Sequence, residues 1–140
     1  MKVEQGELTL SSGHKAIYEY EPDTDLLEIF FQRGEATAAV ELAESIILRF
    51  DWSTEQPLSL SFISASQLVK PTIYGEPNYQ LLVDEWPDPL QEKVWRMLRT
   101  SPLNEFLLLR SYTPAHSLEP VPMATIQPLA LTPLAMAAAI

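Results

Sequence analysis

The residues most able to do chemistry are the carboxylates of "AIYEYEPDTDLLEIFF", residues 16–31, where Glu19, Glu21, Asp23, Asp25 and Glu28 lie between two apolar runs. Such a cluster reads either as a metal or acid–base site or as the solvated turn of a hairpin. A calcium loop wants oxygens at positions 1, 3, 5 and 12 with a glycine at 6. Asp23, Asp25 and Glu28 do not keep that spacing, and no glycine follows them. Acid–base pairs need a cleft that gives two carboxyls different environments, which a hairpin tip lacks. The hairpin is therefore expected, with Asp23 or Asp25 bonding its own backbone to shape the turn.

The other chemistry-bearing residues are sparse. His14 and His116 both follow turn-like stretches, SSGH and TPAH, and neither has a second ligand at metal spacing. Cysteine is absent, which excludes disulfides, thiol catalysis and thiolate-bound metals. The four glycines form no phosphate-cradling loop, and Gly-x-Ser-x-Gly does not occur. No cofactor is called for. If the chain is a small enzyme, its site is dispersed, with Glu19, Glu28 and His116 as first suspects.

Charge narrows the partners. The 140 residues carry a net charge of −10, and the 9 lysines and arginines form no run. That field disfavours direct nucleic-acid or anionic-membrane binding and favours a basic protein partner. Residues 1–69 hold 12 acids against 4 bases, whereas residues 70–140 hold 7 against 5. The N-terminal stretch MKVEQGEL lacks an apolar signal core, and no run is long enough to span a bilayer. A cytoplasmic location is expected.

The elements that must position these residues follow from periodicity. Residues 17–21, 26–32, 37–42, 45–51 and 58–63 alternate with period two and are joined by short connections, which predicts an antiparallel β-meander with one apolar face. A competing helical reading covers residues 35–49, rich in Ala, Glu and Leu. Residues 64–69 suit a short helical turn capped by Ser64 or Ser66. Proline density rises sharply after residue 70, with 2 prolines before and 10 after. A boundary is placed near Pro71, dividing a sheet region, 1–70, from a helix-plus-strand region, 71–140. In the second region DPLQEKVWRMLR predicts a helix over about 88–99, with Asp88 and Gln91 as a capping box, Pro89 at the first turn, and Leu90, Val94, Met97 and Leu98 as its stripe. Residues 80–86 and 104–113 read as strands, and residues 118–127 as an edge-like extended segment, because Pro120 and Pro122 cannot donate to a ladder. The apolar, uncharged tail reads as a strand or helical turn docked on its own subunit, as an arm clasping a neighbour or as a disordered end. The fold class is thus α+β.

The stretch YEYEPDTDLLEIFF, followed by VELAESIILRFDWSTEQPLSLSFISASQLV, resembles the DUF2283 family of small proteins. Tyr20, Pro22, Asp25, Leu27, Ile29 and Phe31 match its opening motif. Glu41, Ile47, Leu48, Asp51, Leu60, Ile63 and Ser64 to Leu68 follow it loosely, so the resemblance spans residues 17–69. It implies a compact sheet domain that assembles with itself and, from the neighbours of some members, an antitoxin-like binding role. It implies no catalytic residue. This chain lacks the glycine-rich turn that family members place between their last two strands, and it continues well beyond their short helix.

Five short strands leave an apolar face that a short helical turn cannot cover, so either the second half of the chain or another subunit must bury it, and a homo-oligomer, most simply a dimer, is expected. Trp95, Arg96, Tyr112, Leu129 and Leu134 are the candidate interface residues. The functional expectation is a non-enzymatic protein-binding or self-assembling protein.

Overall fold

The computed structural model describes residues 3–69, 78–116 and 119–138. The boundary expected near Pro71 lies outside the described residues. Six strands form one antiparallel sheet: β1 (Glu4–Thr9), β2 (Lys15–Glu21), β3 (Leu26–Phe30), β4 (Ala38–Ala43), β5 (Ile46–Asp51) and β6 (Gln56–Ile63). Their order is β1-β2-β3-β6-β5-β4. Two hairpin-linked triplets therefore meet through β3 and β6, so neighbours in the chain stop being neighbours in the sheet at one place. A short 3-10 turn, Ala65–Val69, follows β6.

The strand alternative for residues 35–49 is the one realised. Val40 and Leu42 of β4, and Ile46, Leu48 and Phe50 of β5, are all buried, and the paired strands are joined by a tight turn with Ser45 at φ +67°. Helix propensity is weak against such pairing, because each strand buries its alternate residues in the core while its backbone pairs across the sheet.

The second half supplies β7 (Asn78–Gln80), helix α1 (Asp88–Leu98), β8 (Leu107–Tyr112), β9 (Val121–Ile126) and helix α2 (Pro128–Ala138). The last three strands form a separate antiparallel sheet in the order β7-β9-β8. The segment expected at the edge, β9, is its central strand. Pro120 precedes the strand, and Pro122 lies near its start, where its carbonyl accepts from Leu81 N–H at 3.0 Å. The strand expected over 80–86 ends at Gln80, and Val83–Glu85 form a 3-10 turn.

α1 begins without the expected capping box. Pro87 is the N-cap and Asp88 already lies inside the helix. Gln91 turns its amide to the Val83 carbonyl at 3.2 Å. The stripe holds: Val94, Met97 and Leu98 are buried and Leu90 is half-buried. α2 is the uncharged tail, wound as a helix that packs on β1, β2 and the Ala65–Val69 turn. A helix apolar on all sides needs such burial.

One core joins these parts. The inner face of the large sheet runs in cross-strand rows such as Tyr18–Ile29–Leu60–Leu48–Val40. It shares a single hydrophobic cluster with Trp86, Val94, Leu98, Phe106, Ile126, Ala130 and Leu134. Of the two covers expected for the apolar sheet face, the chain's own second half is the one observed.

Candidate functional site

The opening carboxylates divide into two groups with different fates. Asp25 is a structural hub. It sits at φ +55°, a conformation Asp tolerates better than most residues. Its carboxylate accepts from the Tyr20 hydroxyl at 2.8 Å, the Ser66 N–H at 2.9 Å and the Ser66 hydroxyl at 2.6 Å. Its carbonyl accepts from Ala65 N–H at 2.9 Å. Asp25, rather than Ser64 or Ser66, thus caps the 3-10 turn. Its carboxylate reaches across 41 positions to another part of the chain instead of folding back on its own turn. Tyr20 is 8% exposed. Burial, helped by the Asp25 bond and its charge, pushes the Tyr20 phenol up to about 12.

Glu19, Glu21 and Glu28 belong to the opposite, outer face of the large sheet. One cross-strand row there reads Gln5–Glu19–Glu28–Ser61–Ile47–Glu41. The row before it along β2 reads Glu7–Ile17–Phe30–Ser59–Arg49–Ala39, and the row after it joins Glu21, Leu26 and Ile63. Over β2, β3 and β6, therefore, the apolar pairs Ile17–Phe30 and Leu26–Ile63 lie on either side of the Glu19–Glu28 pair. Ile17 is 49% and Ile63 45% exposed, with Leu26, Phe30 and Ile47 half-buried. None of these five belongs to the core cluster or packs against it. A groove of about 420 Å³ runs along Ile17, Glu19 and Phe30, with Lys15 and Arg33 also in its lining.

The electrostatics of this face are one-sided. By strand parity it presents Glu7, Glu19, Glu21, Glu28 and Glu41 against Lys15 and Arg49. Lys15 is engaged by Glu7 at 3.1 Å, and Arg49 Nη1 donates to Ser61 Oγ at 2.7 Å. Glu19 and Glu28 stand directly opposite each other across β2 and β3. Like charges so placed destabilise a sheet.

The enzyme suspects are not drawn together by any contact in the structure. His116 lies exposed past the end of β8, in the small sheet's half of the chain, while Glu19 and Glu28 lie on the large sheet. Among the described residues no group of three His, Asp or Glu is placed to hold a metal ion. His14 lies in the β1–β2 turn, its Nδ1 3.0 Å from Ser12 Oγ, in a contact between residues two apart. Among the described residues no hydrogen bond orients the other ring nitrogen, so the pair lacks there the third group that an activated serine requires.

The residues picked out as a possible interface are spread over several surfaces. Trp95 is half-buried edge-on to Trp86, ring centroids 5.9 Å apart, with the Arg99 guanidinium 5.7 Å from its ring. Arg96 grips Glu55 with Nε at 2.8 Å and Nη2 at 2.9 Å, tying α1 to the β5–β6 turn. Lys93 joins them, 3.4 Å from Glu55 and over the Trp52 ring. Hydrogen bonding from Arg96 holds the Glu55 carboxyl below its ordinary value. Leu134 is buried and Leu129 half-buried in the chain's own core. Tyr112 is 43% exposed at the end of β8.

The residues of the outer face were legible as a pattern but easily passed over. Every second strand position facing water should be polar. Ile17, Phe30, Ile47 and Ile63 break that rule, and the break is the signal. The chain matches no family model, no curated protein and no solved structure. No described helix is long and apolar enough to cross a membrane.

Proposed function

We propose that this chain is a non-enzymatic protein-binding module whose binding surface is the outer face of its six-stranded sheet. The observation that carries the reading is the set of apolar side chains at water-facing positions of that face, interleaved with carboxylates and covered by no described part of the chain. Covering Ile17 and Ile63, each about half exposed, would contribute about 1 kcal/mol apiece. Such a patch marks an interaction surface more often than a merely solvated one.

Kinship with DUF2283 is part of the proposal. The motif positions Tyr20 and Asp25, with Ser66 from the later loose match, form one hydrogen-bonded lock between β2, β3 and the turn after β6. A domain held in this way presents a rigid sheet to a partner. Self-assembly is a variant of the same reading. With the inner face covered in cis, a dimer would use the outer face or the exposed side chains of β8.

The test is site-specific photo-crosslinking. A photoreactive amino acid is placed at Ile17 and, as a control on another surface, at exposed Asn104. The reading predicts discrete adducts from position 17 and none from position 104. A heterologous adduct identifies the partner, and one of twice the chain's mass identifies a second copy. Equal labelling at both positions, or none at 17, would contradict it.

A further inference from the structure

We propose that the occupant of the outer sheet face is a cationic amphipathic helix of another protein. Its Lys or Arg would sit over the Glu19–Glu28 row, with one apolar side chain over Ile17–Phe30 and another over Leu26–Ile63. This rests on the protein-binding reading above and names the class of partner.

Three observations lead there. The face is built chiefly on β2, β3 and β6, which are interior strands with neighbours on both sides. Their backbone groups are used in the sheet, so an occupant must satisfy its own N–H and C=O groups. A helix does so, whereas an added strand would need a free edge. Next, successive rows on one sheet face are two residues apart, about 6.7 Å. Four residues of helix rise about 6 Å. Apolar, cationic and apolar side chains at i, i+4 and i+8 therefore fall on the three rows in turn. Last, Glu19 and Glu28 are register partners across the β2–β3 pair, a placement in which like charges repel; Glu19 Oε1 accepts from Gln5 Nε2 at 2.8 Å, and a cation between the two carboxylates adds an attraction to each.

A second copy does not fit this description. The described apolar side chains of α1 and of α2 up to Leu134 already lie in or against its own core, and its net charge is −10. The same charge disfavours phosphate-bearing ligands.

The probe is a stapled helical peptide of about 14 residues, since an unstapled one of that length is marginal in water. It carries Leu, Lys and Leu at i, i+4 and i+8. A comparison peptide has Glu at i+4, and another has its Lys moved to the opposite face. Fluorescence anisotropy with the full chain should show the Lys peptide binding at least about tenfold tighter than either comparison, with the difference shrinking at high salt. The E19Q/E28Q variant, checked for folding by circular dichroism, should lose the discrimination and keep a weak apolar affinity common to all three peptides. Equal binding of the Lys and Glu peptides, or discrimination that survives E19Q/E28Q, would overturn the proposal. If the peptides fail but Ile17 still crosslinks to a partner, this inference falls and the binding reading stands. If both fail, both fall.

Discussion

Replacing Asp25 by alanine should be among the most damaging changes outside the apolar core. The substitution removes the acceptor of the Tyr20 hydroxyl and of both Ser66 donors. The Tyr20 side chain is 8% exposed, so its hydroxyl is left poorly solvated, at a cost of about 1–3 kcal/mol. The Ser66 groups are exposed and regain water, so their two bonds contribute about 0.5–1.5 kcal/mol each. Alanine at φ +55° adds about 1 kcal/mol of backbone strain. The sum is about 3–7 kcal/mol, a large part of the roughly 5–15 kcal/mol typical of a domain. Urea denaturation followed by tryptophan fluorescence measures it. Two companions dissect it. Asp25→Gly keeps the hydrogen-bond loss and removes the strain, so it should be milder than Asp25→Ala by about 1 kcal/mol. Tyr20→Phe removes the orphaned hydroxyl, so the double variant D25A/Y20F should lose less than the sum of the two single losses, by about 1–2 kcal/mol. An Asp25→Ala loss below about 1 kcal/mol, or strict additivity with Tyr20→Phe, would refute the hub.

Other perturbations test the remaining contacts. Gly6 faces Tyr18 across β1 and β2, and a Cβ there would lie 2.5 Å from the buried ring, so Gly6→Ala should destabilise by about 1–3 kcal/mol in the same denaturation assay. Glu28→Gln removes the cross-strand repulsion and should stabilise by about 0.2–1 kcal/mol, the sign expected where a charge is kept for binding rather than for folding. The Glu55 carboxyl is depressed chiefly by its Arg96 hydrogen bond. Its contribution is therefore present above the ordinary carboxylate range and is lost as pH falls through the folded-state value, so the melting-temperature gap between wild type and Glu55→Gln should close in acid. Tyr20 carries the opposite dependence: its phenol is raised to about 12, so the folded state holds the proton longer, and stability is full below about pH 10 and falls as pH climbs towards 12. In Tyr20→Phe this part of the alkaline loss should disappear.

Much of the large sheet was legible because its strands bury one face, which writes a period of two into residues such as Leu27, Ile29, Leu48 and Phe50. β1 left little trace. Its inward positions include Glu4 and Gly6, opposite Tyr20 and Tyr18, so its alternation is faint. The β3–β6 join could not be read, since pairing between residues far apart in the chain depends on how two finished triplets meet. Asp25 was seen as a turn former, but besides Tyr20 its side-chain partner is Ser66, 41 positions away. In α1 the stripe of Val94, Met97 and Leu98 fixed the helix while its cap was misplaced, because the extended Pro87 already serves as the boundary. For α2, an apolar character on every side erased the periodicity that would have distinguished helix from strand. The outer face was the least legible. Alternation told which residues share it, but only the register brings Glu19 against Glu28 and Ile17 against Phe30. The inner face also drew attention to a missing cover that the second half supplies.

The most direct test of the account uses the isoleucine methyl groups as paired reporters. Ile17, Ile47 and Ile63 lie on the outer face, while Ile29, Ile46 and Ile126 lie in the core. Methyl-labelled protein is compared by NMR in buffer and in native lysate, with a dilution series in buffer to reveal self-association. The account predicts that the three outer signals shift or broaden in lysate while the three core signals hold their positions. Outer signals unchanged in lysate and across the dilution series, or all six changing alike, would contradict it.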